Sequence, residues 1–177
     1  MGFRKQIHQR VLNACNKNAL ADAYSEWAER YDEDIIDRTG YVAPFLATDV
    51  FEVFAASHDA KILDAGCGTG IVGDTLIKRG YCNIDGTDYS IEMLEKAQEK
   101  GIYKKLFHAD LSGPLKVQSD CYDAVISVGT FTSGHIGPEA FNEIARIIKP
   151  GGYFCFTVRE QAWDKDNYRE MMDIIEQ

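Results

Sequence analysis

The stretch Ile62-Leu63-Asp64-Ala65-Gly66-Cys67-Gly68-Thr69-Gly70 decides the fold of this 177-residue chain. Its apolar beginning runs directly into three glycines at alternate positions, and a helical pattern begins at Ile71. This order predicts a strand, a tight glycine loop and a helix. Glycine suits such a loop because a β-carbon would hold a ligand away from the backbone, and the N–H groups of the following helix then face the ligand. The stretch therefore predicts a binding site for a small molecule.

Strands that alternate with helices continue downstream of this loop. The predicted strands are residues 60–65, 83–87, 103–108, 122–128 and 153–158. Such alternation is typical of a parallel sheet with helices on both faces, in which ligands bind at the carboxyl ends of the strands. The predicted fold class is therefore α/β, a Rossmann-like doubly wound parallel sheet. Residues 129–137 are predicted to be a loop, and Pro150-Gly151-Gly152 a turn into the fifth strand.

An aromatic helix is predicted over residues 24–34, upstream of the sheet. Tyr24, Trp27 and Tyr31 share one face of this helix because they are three and seven positions apart. Two interpretations stay open: the rings pack the helix onto the core, or they form a lid that closes over the ligand at the glycine loop. A strongly apolar helix at 41–56 is predicted to cover one face of the sheet.

We expect one domain over residues 1–177. Its predicted parts are an N-terminal helical arm and lid (1–56), a ligand-binding core (60–158) and a terminal helix (159–177). The hydrophobic fraction of 45% is enough for a folded core.

The charge and the cysteine pattern exclude several functional classes. A net charge of −9 argues against nonspecific binding to nucleic acid or to an anionic membrane. No window approaches the roughly 20 apolar residues of a membrane span, and no secretory leader is recognisable. Five cysteines without C-x-x-C spacing indicate reduced thiols and predict neither disulfides nor a metal site. We therefore expect a cytoplasmic protein without nucleic-acid or membrane partners.

Two acids follow predicted strands and indicate the ligand. Asp88 ends the second strand, and an ionised carboxylate there can accept hydrogen bonds from both hydroxyls of a ribose. Asp110 follows the third strand and could accept from the exocyclic amine of adenine. Either acid alone is more simply a loop or cap residue, but two of them beside a glycine loop favour an adenosine derivative.

The spacing of the loop distinguishes between adenosine derivatives. A dinucleotide fingerprint, G-x-G-x-x-G, requires glycine where this chain has Ile71. Asp64 would repel a pyrophosphate, whereas it can help to hold an ammonium group through hydrogen bonds. The pattern therefore favours an adenosine that carries an amino-acid tail and disfavours a nicotinamide dinucleotide.

An ordered set of motifs resembles the class I S-adenosylmethionine-dependent methyltransferases. The motifs are Asp64-Ala-Gly-Cys-Gly-Thr-Gly70, Asp88-Tyr-Ser90 followed by Met93-Leu94, Ala109-Asp110, Tyr122-Asp-Ala-Val-Ile126 and Lys149-Pro-Gly-Gly152. Within this class, the aromatic helix and the segment 129–138 are similar to the methyltransferase-like proteins of the Williams-Beuren region. The resemblance implies S-adenosylmethionine as the cofactor and methyl transfer as the reaction, but no settled acceptor.

The resemblance also implies contacts with the cofactor for particular residues. These are Gly66 and Gly68 at the methionyl portion, Asp88 at the ribose, Asp110 and Leu111 at the adenine, Ser127 beside the sulfonium, and Tyr31 in the lid. Asp64, Cys67 and Tyr89, which adjoin these positions, complete the predicted cofactor-binding set. His135, in the loop after the fourth strand, is the candidate catalytic base, and a loop histidine bonded to backbone is at least as good an interpretation.

The carboxyl-terminal part departs from the family pattern. The family fold normally adds a helix and two antiparallel strands after the fifth strand, whereas nineteen residues follow Val158 here and residues 164–177 are predicted to be one helix. We therefore expect the last two strands to be absent. The edge of the fifth strand would then be covered by the terminal helix, by another chain through self-association, or by nothing.

Three functions stay open at this point. The first is methyl transfer to an unidentified small molecule or to a protein side chain. The second is a binding module that holds S-adenosylmethionine without turnover. The third, which the loop spacing disfavours, is a nicotinamide-dependent oxidoreductase.

Overall fold

The structure is a computed structural model, and it describes residues 3–14, 16–38, 40–54, 57–131 and 136–175. Five strands form its central sheet. They are β1 (Ile62–Ala65), β2 (Ile84–Asp88), β3 (Lys105–His108), β4 (Tyr122–Phe131) and β5 (Ile148–Val158). Every neighbouring pair is parallel, in the order β3-β2-β1-β4-β5. The predicted doubly wound parallel sheet is confirmed, with the change in winding direction beside β1.

Eight α-helices surround the sheet in the part of the chain that the structure describes. They are α1 (Phe3–Leu12), α2 (Lys17–Trp27), α3 (Ala43–Phe54), α4 (Ile71–Lys78), α5 (Ile91–Glu99), α6 (Phe141–Ile147), α7 (Glu160–Lys165) and α8 (Tyr168–Ile175). A short 3₁₀ turn, Ala28–Arg30, and a π-helical segment, Glu33–Arg38, continue the chain after α2. No helix among these residues is long and apolar enough to cross a bilayer.

Successive side chains of a strand point to opposite sides of the sheet, and the central strands β1 and β2 are buried on both sides. Ile62 of β1 packs with Phe51 of α3 and Leu76 of α4 on one face. Leu63, the next residue, packs with Ile144 of α6 on the other face. The central strands are apolar on both sides because each side meets a helical layer.

The end of α6 and the beginning of β5 differ from the sequence prediction. Pro150-Gly151-Gly152, predicted to be a turn, lies within β5, where the register against β4 shifts between Tyr122 and Ala124. Gly152 has no room for a side chain, because a β-carbon would overlap the carbonyl oxygen of Asp123. Gly152 therefore marks a close approach between two strands, whereas Gly151, with a φ of 80° and open space around it, lies in the irregular stretch that the register shift records. The strand begins at Ile148 and not at Tyr153 as predicted.

Two further boundaries were also predicted incorrectly. β4 continues to Phe131 through residues that were predicted to begin a loop. The terminal helix is broken into α7 and α8 at Asn167, which has a φ of 57°. Both helices pack with α6 against the side of β5 that carries Phe154 and Phe156. In the described part of the chain, β5 pairs with β4 alone.

Candidate functional site

A cavity of about 450 Å³ lies at the carboxyl ends of the strands. This volume falls within the range of roughly 300–1,000 Å³ that is usual for small-molecule sites. The structure brings seven of the predicted cofactor-binding residues together in its lining. They are Tyr31, Gly66, Gly68, Asp88, Tyr89, Asp110 and Leu111.

Three other predicted residues lie behind the cavity wall. Asp64 is fully buried, and its Oδ2 accepts a hydrogen bond of 2.6 Å from the hydroxyl of Tyr103. Ser127 is also fully buried, and its hydroxyl donates to the carbonyl oxygen of Ala65 at 2.6 Å. Cys67 is buried next to Gly68. These side chains support the loop from below and do not contribute to the lining, while the candidate base His135 lies outside the described residues.

The carboxylate of Asp88 links the end of β2 to the glycine loop. Its Oδ2 accepts from the N–H of Gly68 at 2.8 Å, and its Oδ1 accepts from the N–H of Ser90 at 2.9 Å. Burial raises the pKa of Asp88, whereas the two N–H groups favour the charged form and oppose this shift. Asp88 is therefore held rigidly at the cavity, where its remaining lone pairs can accept from a ligand.

The next strand places Asp110 beside Asp88. The N–H of Ala109 donates to the carbonyl oxygen of Asp88 at 3.1 Å, so the two strand ends are joined directly. Asp110 Oδ1 accepts from the N–H and the hydroxyl of Ser112, at 2.9 and 2.7 Å. The apolar side chain of Leu111 is almost completely buried next to it. This corner combines acceptors with an apolar wall, as recognition of a purine requires.

The glycine loop is anchored to the neighbouring strand. The N–H groups of Gly66 and Cys67 both donate to the carbonyl oxygen of Thr87, at 2.8 and 2.9 Å. Gly66 has a φ of 78°, and a β-carbon there would overlap the hydroxyl of Thr130 from β4. Gly68, at a φ of 53°, has open space where a β-carbon would be. The loop thus leaves its backbone accessible at the position that faces the cavity.

Tyr103 fills the space beneath the loop. Its ring lies close to three glycines and leaves little room for a side chain at any of them. A β-carbon added to Gly73 would overlap the ring and the hydroxyl, and one added to Gly70 or Gly86 would lie 3.1 or 3.0 Å from the ring. The hydroxyl of Tyr103 donates to the carboxylate of Asp64. Burial raises the pKa of Asp64 from 3.8 to about 7, and the hydrogen bond from Tyr103 opposes this shift. One tyrosine therefore positions the loop, the first turns of α4 and the middle of β2 relative to each other.

The aromatic residues of the N-terminal part form the roof of the cavity. The ring of Tyr31 contacts those of Tyr24 and Trp27, at centroid distances of 6.0 and 5.1 Å. Trp27 is buried and donates through Nε1 to Asp34 at 3.1 Å. All three rings line the cavity, as does Tyr41. The rings therefore pack against each other and line the cavity, and closure over a ligand remains a prediction.

Polar contacts fasten this roof to α5. Ser25 donates to Glu92 at 2.5 Å, and Glu29 pairs with Lys96 at 2.8 Å. Lys100 Nζ lies 2.6 Å from Asp32 Oδ2, and the other oxygen of Asp32 accepts from the hydroxyl of Thr69 in the glycine loop. Glu92, Lys96 and Lys100 are four residues apart, the first two within α5 and Lys100 directly after it. We call this row of contacts, from Ser25–Glu92 to Asp32–Lys100, the polar strip.

Sequence reasoning missed several residues of the site. Tyr41 lies over β4, where a β-carbon at Gly129 would come within 2.8 Å of its hydroxyl. Thr130 approaches Gly66 in the same way, and Arg159 lines the cavity after β5. For Tyr41 and Thr130 the local signal was the glycine at the contact, which indicates a close approach without identifying the partner, and no local signal pointed to Arg159.

Comparisons with known proteins agree with this geometry. A family model described as a methyltransferase domain matches residues 62–152. Human methyltransferase-like protein 27 is 36% identical, over 99% of this chain and 75% of that protein. Malonyl-[acyl-carrier protein] O-methyltransferase of Pectobacterium atrosepticum is 28% identical, over 85% of this chain and 60% of that protein. This chain thus spans three quarters of the human relative and less than two thirds of the bacterial one.

Solved structures support the fold. A TehB-like S-adenosylmethionine-dependent methyltransferase from Corynebacterium glutamicum superposes with a TM-score of 0.66 at 23% identity, over 87% of this chain and 83% of that one. A methyltransferase from Aquifex aeolicus superposes with a TM-score of 0.59 at 19% identity, over 75% of this chain and 71% of that one.

Proposed function

The chain belongs to the methyltransferase domain family, whose cofactor is S-adenosylmethionine, and from this premise we propose that it methylates a small-molecule acceptor. The observation that carries the proposal is the single cavity wall that joins the glycine loop, Asp88 and Asp110. Each comes from the end of a different strand, so their convergence does not follow from local sequence. A protein side chain is the alternative acceptor.

The residues present fit S-adenosylmethionine. We propose that Asp88 accepts hydrogen bonds from the ribose hydroxyls, and that Asp110, Leu111 and Tyr89 surround the adenine. The methionyl portion would lie against Gly66 and Gly68 with Tyr31 above it. Asp64, Cys67 and Ser127 would act indirectly, by supporting the loop that makes these contacts.

The chain's own contribution to catalysis is alignment and exclusion of water. When bound, S-adenosylmethionine supplies an activated methyl group on a good leaving group. Well-aligned reactants reach effective molarities of roughly 10⁵ to 10⁸ M, so correct positioning can supply most of the acceleration. The aromatic roof over the cavity keeps water out, and the polar strip holds the roof in place. A base is optional, and His135 remains the candidate for it.

Calorimetric titration with S-adenosylmethionine and with NAD tests the cofactor assignment. We expect heat of binding with the first and none with the second. Absence of binding to S-adenosylmethionine would contradict both the transferase and the non-catalytic binding module. Release of S-adenosylhomocysteine in the presence of a metabolite mixture separates these two, because a binding module releases none.

Self-association through the edge of β5 is a further proposal. β5 has one sheet neighbour among the described residues, and the adjacent α3, together with the residue before it, exposes several large apolar side chains. They are Val42, Phe45, Leu46, Val50, Val53 and Phe54. We propose that a second copy of the chain covers this region. Sedimentation velocity should show a dimer that Val53→Glu weakens, and a monomer at every concentration would overturn the proposal.

The remaining expectations concern organisation and location. We propose that residues 1–177 act as one methyltransferase domain, with the arm and lid at 1–56, the core at 60–158 and the terminal helix at 159–177. A cytoplasmic location and the lack of a nucleic-acid partner remain proposals that rest on the cysteine pattern and the net charge of −9.

A further inference from the structure

The cavity is electrostatically polarised along the sheet. Asp88 ends β2 and Asp110 lies just after β3, on one side of β1, and both line the cavity. Arg159 follows β5, at the opposite edge of the sheet, and lines the cavity as well. The strand order β3-β2-β1-β4-β5 thus places the carboxylates of Asp88 and Asp110 at one side of the cavity and the guanidinium of Arg159 at the other.

Arg159 is available to a ligand. It is the only lysine or arginine in the described lining of the cavity. Its side chain makes no hydrogen bond or ion pair with any residue that the structure describes, whereas the other cations near the roof, Lys96 and Lys100, are paired with acids. Arg159 is also exposed, so it reaches the cavity at its mouth. An arginine at the mouth of an aromatic cavity, with its donors unused, can bind an anion.

Two tyrosine hydroxyls accompany this guanidinium. Tyr24 and Tyr41 line the cavity, and neither hydroxyl makes a hydrogen bond within the described part of the chain. Burial and, next, the charge of Asp88 raise the pKa of Tyr24 to about 12, and burial raises the pKa of Tyr41 above its ordinary value; the charge of Arg159 opposes both shifts. The phenols therefore stay protonated at neutral pH and keep their donors.

The walls around these three donors combine apolar side chains with the hydroxyl-bearing Thr130 and Thr157. Val128 and Phe131 of β4, Ile136, and Val158 of β5 all line the cavity. Val128, Phe131 and Val158 belong to β4 and β5, on the side of β1 away from Asp88 and Asp110. This part of the cavity is left over when the proposed adenosine contacts are assigned, so it is where an acceptor would bind.

Resting on the proposed function, we propose that Arg159 binds a carboxylate of the methyl acceptor, assisted by Tyr24 and Tyr41, and that the acceptor is a small organic acid with an apolar or aromatic body. A planar carboxylate matches the two parallel N–H donors of a guanidinium. The carboxylates at the adenosine end repel an anion, so they favour one orientation of the acceptor in the cavity. A neutral or cationic acceptor would leave the guanidinium without a partner.

Binding measurements with paired probes test this proposal without requiring turnover. The full chain, saturated with S-adenosylhomocysteine, is titrated with phenylpropionate, indole-3-acetate and octanoate and with the primary amide of each acid. The same series is repeated with Arg159→Gln and with Lys165→Gln. Lys165 is the matched control, since it is an exposed cation of the adjoining α7 that does not line the cavity.

We expect at least one acid to bind roughly 10- to 100-fold more tightly than its amide, as the loss of a charge-assisted hydrogen-bonded pair implies. Arg159→Gln should abolish this preference, and Lys165→Gln should retain it. S-Adenosylhomocysteine itself should bind both variants as it binds the unmodified chain.

Two results would overturn the proposal. One is the absence of any preference for acid over amide in the unmodified chain. The other is a loss of affinity for S-adenosylhomocysteine in Arg159→Gln, which would assign the guanidinium to the cofactor. Failure of the proposed function is recognised separately, because the unmodified chain would then not bind S-adenosylhomocysteine at all.

Discussion

Replacement of Asp88 by alanine should weaken cofactor binding through two losses. The variant has no acceptor for the ribose hydroxyls, and it leaves the N–H groups of Gly68 and Ser90 without the oxygens that they contact at 2.8 and 2.9 Å. A hydrogen bond to a charged group contributes about 1.5–3 kcal/mol, and part of this is regained from water. We expect a loss of about 1 to 3 kcal/mol in binding free energy, or roughly 5- to 150-fold in Kd.

The loss from the ribose can be separated from the loss in the loop with a second ligand. Calorimetry is carried out with S-adenosylhomocysteine and with its 2′-deoxy analogue, on the unmodified chain and on Asp88→Ala. If the carboxylate accepts from the 2′-hydroxyl, the analogue binds more weakly than the parent ligand to the unmodified chain but not to the variant. Asp74→Ala, which removes an exposed carboxylate from α4, is the matched control and should change neither affinity.

Either of two outcomes would contradict the assignment of Asp88 to the ribose. A folded Asp88→Ala with unchanged affinity would remove Asp88 from the binding site. An equal penalty for the deoxy analogue in both proteins would leave Asp88 as a support for the loop alone. Near-ultraviolet circular dichroism and the Tm of each variant establish that it is folded.

Two further predictions concern the parts behind and above the cavity. Because the pKa of Asp64 is raised to about 7 in the folded chain, the unfolded state loses its proton first, so the free energy of unfolding should fall between about pH 4 and pH 7. Asp64→Asn should reduce this slope in urea titrations across that pH range; an unchanged slope would contradict the assignment. Lys100→Gln, which breaks the contact with Asp32, should raise the dissociation rate of S-adenosylhomocysteine by roughly two- to fivefold in stopped-flow fluorescence, because such partly exposed pairs contribute up to about 1 kcal/mol. Lys78→Gln, which breaks an exposed pair on α4, should leave the rate unchanged, and equal effects of the two variants would reject a role for the polar strip.

The central part of the fold could be predicted from the sequence because several independent signals coincide there. The run from Ile62 to Gly70 indicates both the strand and the loop, and Asp88 and Asp110 follow strands that the apolar pattern already predicts. The carboxyl ends of parallel strands meet at one edge, so their convergence on the cavity could be inferred from order alone. Arg159 could not be inferred in this way, since no motif distinguishes it from an ordinary surface cation.

Boundaries were predicted less well where glycine has two interpretations. Pro150-Gly151-Gly152 has the composition of a turn, yet it lies within the irregular first part of β5, where Gly152 allows the strand to approach the backbone of β4. Asp64 was predicted to face the ligand, and it faces Tyr103 instead, because it shares the side of β1 that α4 covers. Which face of a buried strand meets the ligand depends on tertiary packing that a continuous apolar run does not encode.

Because the ring of Tyr103 packs against Gly73, the effect of a substitution at position 73 depends on the residue at position 103. Gly73 lies inside α4, where alanine is ordinarily the more stable residue by about 1 kcal/mol, but its β-carbon would overlap the tyrosine hydroxyl. Once a smaller residue has replaced Tyr103, the same substitution gains room and becomes favourable to the helix. The sign of the effect at Gly73 therefore depends on position 103, and the order of substitutions restricts the mutational paths that are open to this chain.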